Sequence, residues 1–430
     1  KELKSGVEKQ LTNVKTNILG IEWSPDSKSI LWSDKNNNLT ITDVKTGSET
    51  LVEKSEISPM NDYNWSPDSK LIIFTRPGKT VSTIVVYNIA DKQKIQITDE
   101  WYSSGGGNFS KDGKHIVFTS ARTFNPTYSN TEWNHAYTNM NKIYVLPITK
   151  DAEVPFALKN DTVAVEKQAP ADKTKEAKAT SANTYYFDNI SSRIVEIPVQ
   201  PSFYGNLHMI GKTIYYGSRR GSGMYDLDSQ KETDLQASLI FGPAYKKAIA
   251  LTPGSIQIID IPKAPIAPAK GISLAGVKKL VNYNQEWMQI YNETWRQMRD
   301  YFYAKNMHGV DWNKMKKRYE VLVPHVAHRS DLTYIIGELI GELNVGHAYS
   351  QNGEHPEAER VLTGLLGADL VKADNGYYKI TKIIAGANWS KETRSPLIMP
   401  GVELKEGDFI LAINGNSVKE SSNIYELLAG

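Results

Sequence analysis

"WSPDSKSILWSD", Trp23–Asp34, decides the fold because it recurs. "WSPDSKLIIFTR" begins at Trp65 and a looser "FSKDGKHIVFTS" at Phe109, which gives periods of 42 and 44 residues. A period near forty residues suits one four-stranded blade of a β-propeller. Ser-Pro-Asp-Ser-Lys has the chemistry of a tight turn, in which proline presets φ and aspartate can bond its own backbone. An alternating strand such as "SILWS" or "LIIFT" follows the turn. A second strand pair then completes the unit, as in "NLTITDVKTGSETLV" with a hairpin turn at Thr46-Gly47.

After Lys150 the repeat blurs. "KNDTVAVEKQAPADKTKEAKATSANT" is polar, rich in alanine and lysine and without apolar periodicity, so it reads as an exposed insertion at about residues 158–184. Strand patterns resume in "SRIVEIPVQ", "LHMIGKTIYYGS", "GMYDLD" and "KKAIALTPGSIQIIDI". Residues 1–262 are therefore expected to form a β-propeller of five or six blades, fewer once the insertion is subtracted. A propeller ring closes on itself to remove sheet edges, and this chain starts in mid-repeat, so the propeller reads as cut from a longer one. "YSSGGGNFS", Tyr102–Ser110, lacks the lysine and the strand–loop–helix setting of a phosphate loop and is expected to be a propeller turn.

Prolines 262, 265 and 268 in "IPKAPIAPAKG" each forbid regular sheet pairing at their own nitrogen, so residues 263–275 read as a linker. The period then changes. Trp287, Tyr291, Trp295, Met298 and Phe302 recur every three or four residues, the mark of a helix with a buried aromatic stripe. A second helix is expected over "WNKMKKRYEVLV" up to Pro324. A third is expected to start at the N-cap Ser330 with Asp331 in its first turn and to bury Leu332, Ile335, Ile336, Leu339 and Leu343. Asn344-Val345-Gly346 ends it, glycine being the usual residue just past a helix, and His347 follows. These elements assign residues 276–352 to a small helical bundle. Residues 354–430 return to strand and turn signals, with hairpin dipeptides at Asn375-Gly376 and Asn414-Gly415 and a short helix in "SSNIYELLAG", where the chain reads as cut again.

Bulk properties agree with several domains. A chain of 430 residues exceeds what one hydrophobic core supports. With 40% hydrophobic residues, 23% charged residues and a net charge of +2 without a basic block, nothing asks for nucleic acid. No apolar run reaches the roughly 18–20 residues that span a bilayer. The absence of cysteine excludes disulfides, thiolate zinc sites and a cysteine nucleophile.

"EGDFILAINGNSVKESSNIYELLAG" resembles the strand and helix signature of a PDZ domain, and the early repeats resemble TolB- or WD-like propeller blades. The order of WSPDSK blades, helical bundle ending in "GELNVGHAYS" and PDZ-like α+β domain resembles the tricorn protease family across the whole chain. "YNETWRQMRDYFY" and "MHGVDW" are further specific pieces. The resemblance implies a multidomain serine peptidase that hydrolyses peptides, assembles as a large homo-oligomer and needs no cofactor or metal; bacterial relatives with this arrangement suggest export. It maps the active-site histidine onto His347, the general base, and places the nucleophilic serine and a glutamate in a domain after the PDZ domain, outside this chain. Archaeal members carry a serine immediately before the histidine, where this chain has Gly346. Leu365, Leu366 and Gly367 fall in the stretch that would form the PDZ carboxylate-binding loop for peptide substrates.

Other constellations compete poorly. His308, His325 and His328 lack a carboxylate and an open coordination pattern, and surface or packing roles fit them better than a metal site. Ser350 lies three residues from His347, which does not make a catalytic pair. A different functional class also fits the domains: propellers and PDZ domains are both recognition modules, and a non-catalytic peptide- or protein-binding scaffold would use the same parts.

Overall fold

A computed structural model describes residues 6–60, 62–124, 126–157, 183–219, 221–267, 269–351, 353, 360–387 and 389–429, divided between two compact units, 1–277 and 278–430. The insertion expected at 158–184 lies, up to residue 182, outside the described residues.

Among the described residues, the first unit contains five blade sheets. The first blade is β1 (Ile18–Trp23), β2 (Ser29–Asp34), β3 (Asn38–Asp43) and β4 (Glu49–Lys54). The second is β5 (Tyr63–Trp65), β6 (Leu71–Arg76), β7 (Thr83–Asn88) and β8 (Lys94–Gln96). The third combines β9 (Ser104–Phe109) and β10 (His115–Ser120) with β13 (Lys142–Pro147) and β14 (Val195–Glu196), after a small hairpin of β11 (Thr127–Tyr128) and β12 (His135–Ala136). The fourth is β15 (Tyr204–Ile210), β16 (Thr213–Ser218), β17 (Gly221–Asp226) and β18 (Lys231–Asp234), and the fifth is β19 (Ser238–Phe241), β20 (Lys247–Thr252) and β21 (Ser255–Asp260).

Apolar alternation stacks these sheets. Ile72 and Phe74 of β6 join Leu31 and Leu39 in a core shared with the first blade, while Leu71 and Ile73 join Ile116 and Phe118 in a core shared with the third. A strand buried on both faces must be apolar at every position, which is why β6 reads as an unbroken "LIIF". Each such side chain contributes about 1.5–3 kcal/mol by leaving water.

The repeated turn has one geometry three times. Ser66 Oγ accepts from the amides of Lys70 and Leu71 at 3.1 and 2.8 Å and donates to Asp68 Oδ1 at 2.7 Å. Ser24 does the same with Lys28, Ser29 and Asp26, and in the third unit Ser110 bonds the amide of His115 and Asp112. The fourth turn residue is left-handed each time: Ser27 at φ 61°, Ser69 at φ 60° and Gly113 at φ 72°.

Several expectations from the sequence do not hold. The glycines of "YSSGGGNFS" are not a turn but lie inside β9, because that strand runs against its neighbour so closely that a Cβ on Gly107 would meet Ile73 Cδ1 at 2.8 Å. "SRIVEIPVQ" is a 3₁₀ turn, Ile190–Arg193, and only a two-residue strand; Pro198 has no amide with which to extend the pairing. The third helix is capped not by Ser330 but by His328, whose ring accepts from the Ser330 amide at 3.2 Å. The Asp331 carboxylate accepts in return from the His328 amide at 2.9 Å, a capping box with histidine in the serine place.

The second unit opens with α1 (Tyr283–Tyr301), α2 (Trp312–Glu320) and α3 (Arg329–Gly341), which share one core. Tyr291 is fully buried and its hydroxyl donates to the Lys316 carbonyl at 2.6 Å. Trp295 and Trp312 each donate an indole N–H to the other's carbonyl at 3.0 Å, so the aromatic stripe of α1 packs and bonds in the same place. A three-stranded sheet follows, β22 (Ala368–Lys372), β23 (Tyr378–Ile383) and β24 (Phe409–Ile410), with a hairpin of β25 (Ala412–Ile413) and β26 (Asn416–Ser417) about Asn414-Gly415. The helix expected in "SSNIYELLAG" is a 3₁₀ turn, Ile424–Leu428, capped by Asn423. The architecture is a β-propeller unit followed by a helical bundle and a PDZ-like region. Among the described residues no helix is long and apolar enough to cross a membrane.

Candidate active site

His347 sits on an arch between two tied points. Leu343, fully buried in the helical core, ends the tightened last turn of α3, with its amide on the Ile340 carbonyl at 3.1 Å. Ser350 marks the other end, its hydroxyl donating to the Thr333 carbonyl at 3.1 Å. Ser350 is thus engaged with α3 and not with His347.

The backbone of the arch departs from the expectation at Gly346. The left-handed residue that turns the chain out of α3 is Asn344, at φ 46°; Gly346 is not left-handed, and a Cβ placed on it would meet nothing within 4 Å. Asparagine adopts this conformation because its short polar side chain tolerates it. His347 is itself left-handed, at φ 58°, which lifts its imidazole out of the turn into solvent.

A second left-handed stretch holds the arch from below. Met307, His308 and Gly309 have φ values of 50°, 55° and 82° in succession. A non-glycine residue there costs about 1–2 kcal/mol, so packing must hold the turn, and Met307 is buried in the helical core. The turn aims the His308 ring at the end of α3. Its Nδ1 lies 2.8 Å from the Leu343 carbonyl, and Nε2 meets the Tyr303 hydroxyl. A carbonyl only accepts, so Nδ1 carries the hydrogen and Nε2 accepts from tyrosine. His308 therefore ties the C-terminal end of α1 to the residue from which the arch springs.

The charges nearby are otherwise occupied. Glu342 Oε1 accepts from Arg318 at 2.9 Å and from the Tyr319 hydroxyl at 2.7 Å, and that hydrogen bond together with burial raises the Tyr319 pKa above its ordinary value. Among the described residues, His347 has one hydrogen-bond partner, the hydroxyl of Tyr349 at 3.1 Å from Nδ1. Neither a carboxylate nor a serine hydroxyl from those residues reaches it. His325 ends a 3₁₀ turn and His328 caps α3, so the three histidines weighed as a metal site do separate structural work. In the first unit, His208 is held between Tyr245 and Asn206 at 3.0 Å each and packed on Phe241, and burial pushes its pKa down to about 4.

The PDZ-like loop is partly occupied by its own chain. The Gly364 amide donates to the Leu428 carbonyl at 2.8 Å, and Thr363 bridges Ala429. The carbonyls of Leu366 and Gly367 accept from Ser395 Oγ and the Ile384 amide, each at 2.8 Å. The amides of Leu365, Leu366 and Gly367 meet no acceptor among the described residues, and the neighbouring β22 is an edge strand.

Sequence reasoning placed His347 past a helix but missed both of its supports. Tyr349 is two residues away in "GHAYS", and a polar residue that close to a candidate base is a usable signal. His308 is 35 residues from the carbonyl it holds, a pairing that no local pattern encodes.

Comparison with known proteins gives a consistent result over nearly the whole chain. Residues 3–243 match the Tricorn protease second beta propeller domain, 283–341 the Tricorn protease C1 domain and 364–430 the Tricorn protease PDZ domain. Tricorn protease homolog 1 of Streptomyces coelicolor is 25% identical over 445 residues, covering 96% of this chain and 41% of that protein. The Tricorn protease homolog of Saccharolobus solfataricus is 26% identical over 449 residues, covering 99% of this chain and 40% of that protein. A crystal structure of the tricorn protease superposes with a TM-score of 0.76 at 21% identity, covering 96% of this chain and 41% of that one. The chain thus spans about two fifths of the length of these relatives.

Proposed function

The chain belongs to the tricorn protease family, and from that premise we propose that it is the propeller, histidine-bearing and PDZ portion of a serine peptidase, with His347 as the general base. A serine hydroxyl is a poor nucleophile near neutral pH. A histidine must take its proton as it attacks the peptide carbonyl and then deliver that proton to the leaving amine. On this reading the serine is supplied from outside this chain; Ser350, the serine nearest in sequence, is turned to the Thr333 carbonyl and not to His347.

One observation carries the reading: His347 stands exposed on an arch tied at both ends, with Nδ1 on a hydroxyl and Nε2 without a partner among the described residues. A base must have one ring nitrogen oriented and the other open to its substrate, and this arrangement meets that need. In the complete enzyme, His347→Ala should lower kcat by about 10³- to 10⁶-fold with no change in the unfolding midpoint, since the side chain is exposed and outside the core. The same peptide assay on the isolated 430 residues should show no turnover. Near-normal kcat in the variant would remove His347 from the mechanism.

A further inference from the structure

We infer that Tyr349 is the positioning residue of His347, its hydroxyl engaging Nδ1 so that the ring is held with Nε2 free to act as base; this rests on the reading of His347 above. Nδ1 and Oη lie 3.1 Å apart, and the two rings stand 6.4 Å apart, edge to face at 69°. Among the described residues, neither side chain has another hydrogen-bond partner. A tyrosine hydroxyl can accept from Nδ1–H or donate to a bare Nδ1, and only the first arrangement leaves the lone pair on Nε2, so in the proposed site Oη accepts. With Nδ1–H donating to Tyr349 Oη, the lone pair stays on Nε2. As His347 takes up a proton, the same oxygen continues to accept from Nδ1–H, so no partner has to be exchanged during the step.

Three features make the assignment specific. Gly346 brings no side chain to the imidazole, and the carboxylate of Glu342 is held by Arg318 and Tyr319. The left-handed backbone at His347 turns the chain so that residues 347 and 349 face each other across the arch. Tyr349 is 70% exposed, so its hydroxyl is not there to satisfy a core, and removing it leaves packing intact.

The test is Tyr349→Phe in the complete enzyme, beside His347→Ala, with kcat and KM measured separately. The expected result is a fall in kcat of about 10- to 100-fold, the size seen when a partner that orients a metal-ligating histidine is removed, with KM unchanged. Adding Gly346→Ser to the Tyr349→Phe variant places a hydroxyl beside the ring from the preceding residue, where there is open space and no left-handed backbone. Recovery of kcat there supports a role for the hydroxyl rather than for the tyrosine ring. Independently of turnover, ¹⁵N spectra of the histidine rings in the 430-residue chain should show His347 mainly in the Nδ1–H form, and Tyr349→Phe should mix the two tautomers. An unchanged kcat in Tyr349→Phe while His347→Ala is inactive overturns the role of Tyr349 and leaves that of His347 standing. An unchanged kcat in His347→Ala overturns both. An unchanged tautomer pattern in Tyr349→Phe overturns the orienting bond whatever the kinetics show.

Discussion

The SPDSK turns of the propeller and the arch bearing His347 solve one problem in opposite ways. Both bend the backbone through non-glycine residues in the left-handed region, Ser27 and Ser69 in the turns, Asn344 and His347 in the arch. In the turns the serine that closes the bend works locally: Ser66 Oγ serves Asp68, Lys70 and Leu71, all within five residues, although neighbouring turns also touch, the Asp26 amide donating to Ser69 Oγ at 3.1 Å. In the arch the partners come from far away, the Leu343 carbonyl from His308, 35 residues earlier, and the Ser350 hydroxyl from Thr333, 17 residues earlier. A locally closed turn uses its polar groups on itself and can be repeated blade after blade. An arch held at its ends leaves the side chain at its top free, which is what a proton-transferring group requires.

Ser66→Ala tests the local half of this contrast most severely. The hydroxyl is fully buried and serves three groups, so its loss leaves the buried Leu71 amide without its acceptor and the Lys70 amide with Asp68 Oδ1 alone, and should destabilise the propeller unit by about 2–3 kcal/mol. Urea unfolding followed by tryptophan fluorescence measures this; a loss under about 0.5 kcal/mol would mean that the turn is closed by something other than its serine.

His308→Ala addresses the distant half, with a smaller expected effect. Its ring is exposed and makes two hydrogen bonds, so the cost should be about 1–2 kcal/mol. The distinguishing readout is location: amide hydrogen exchange should accelerate at 344–349, a stretch that His308 touches only through Leu343. Exchange confined to 303–309 would show that the clamp does not reach the arch.

The smallest effect sharpens the comparison at the backbone itself. Ser27 has no side-chain bond among the described residues and carries left-handed strain that Gly113 avoids in the third turn. Ser27→Gly should therefore stabilise by about 0.5 kcal/mol, strain relief of about 1–2 kcal/mol being offset by the extra freedom of glycine in the unfolded chain. Thermal unfolding of the variant, with Gly113→Ala as the opposite change, checks the sign; destabilisation by Ser27→Gly would show that the serine contributes more than its conformation.

By itself the sequence determined the features whose causes lie within a few residues. The repeated turns were legible because Ser, Asp and the left-handed fourth residue bond one another, and the blade strands because two-sided burial requires "LIIF" in β6. The aromatic stripe of α1 and the buried face of α3 followed from helical spacing, since residues three and four apart share a side. Tertiary structure alone decided that the glycines of β9 lie in a strand, because their reason is Ile73 of the neighbouring blade. It alone decided that His328 rather than Ser330 caps α3 and that Asn344 rather than Gly346 turns the chain, since several residue types satisfy each local rule and packing selects among them. The candidate site divides in the same way. His347 was visible from its place after a helix and from family resemblance, whereas the His308 clamp exists only once α1 and α3 are packed, because a hydrogen bond between residues 35 apart has no periodic trace in the chain. Tyr349 lies between these cases: its spacing was readable, but whether a residue two positions on faces a histidine or points away depends on the left-handed backbone at His347, which side-chain identity does not dictate.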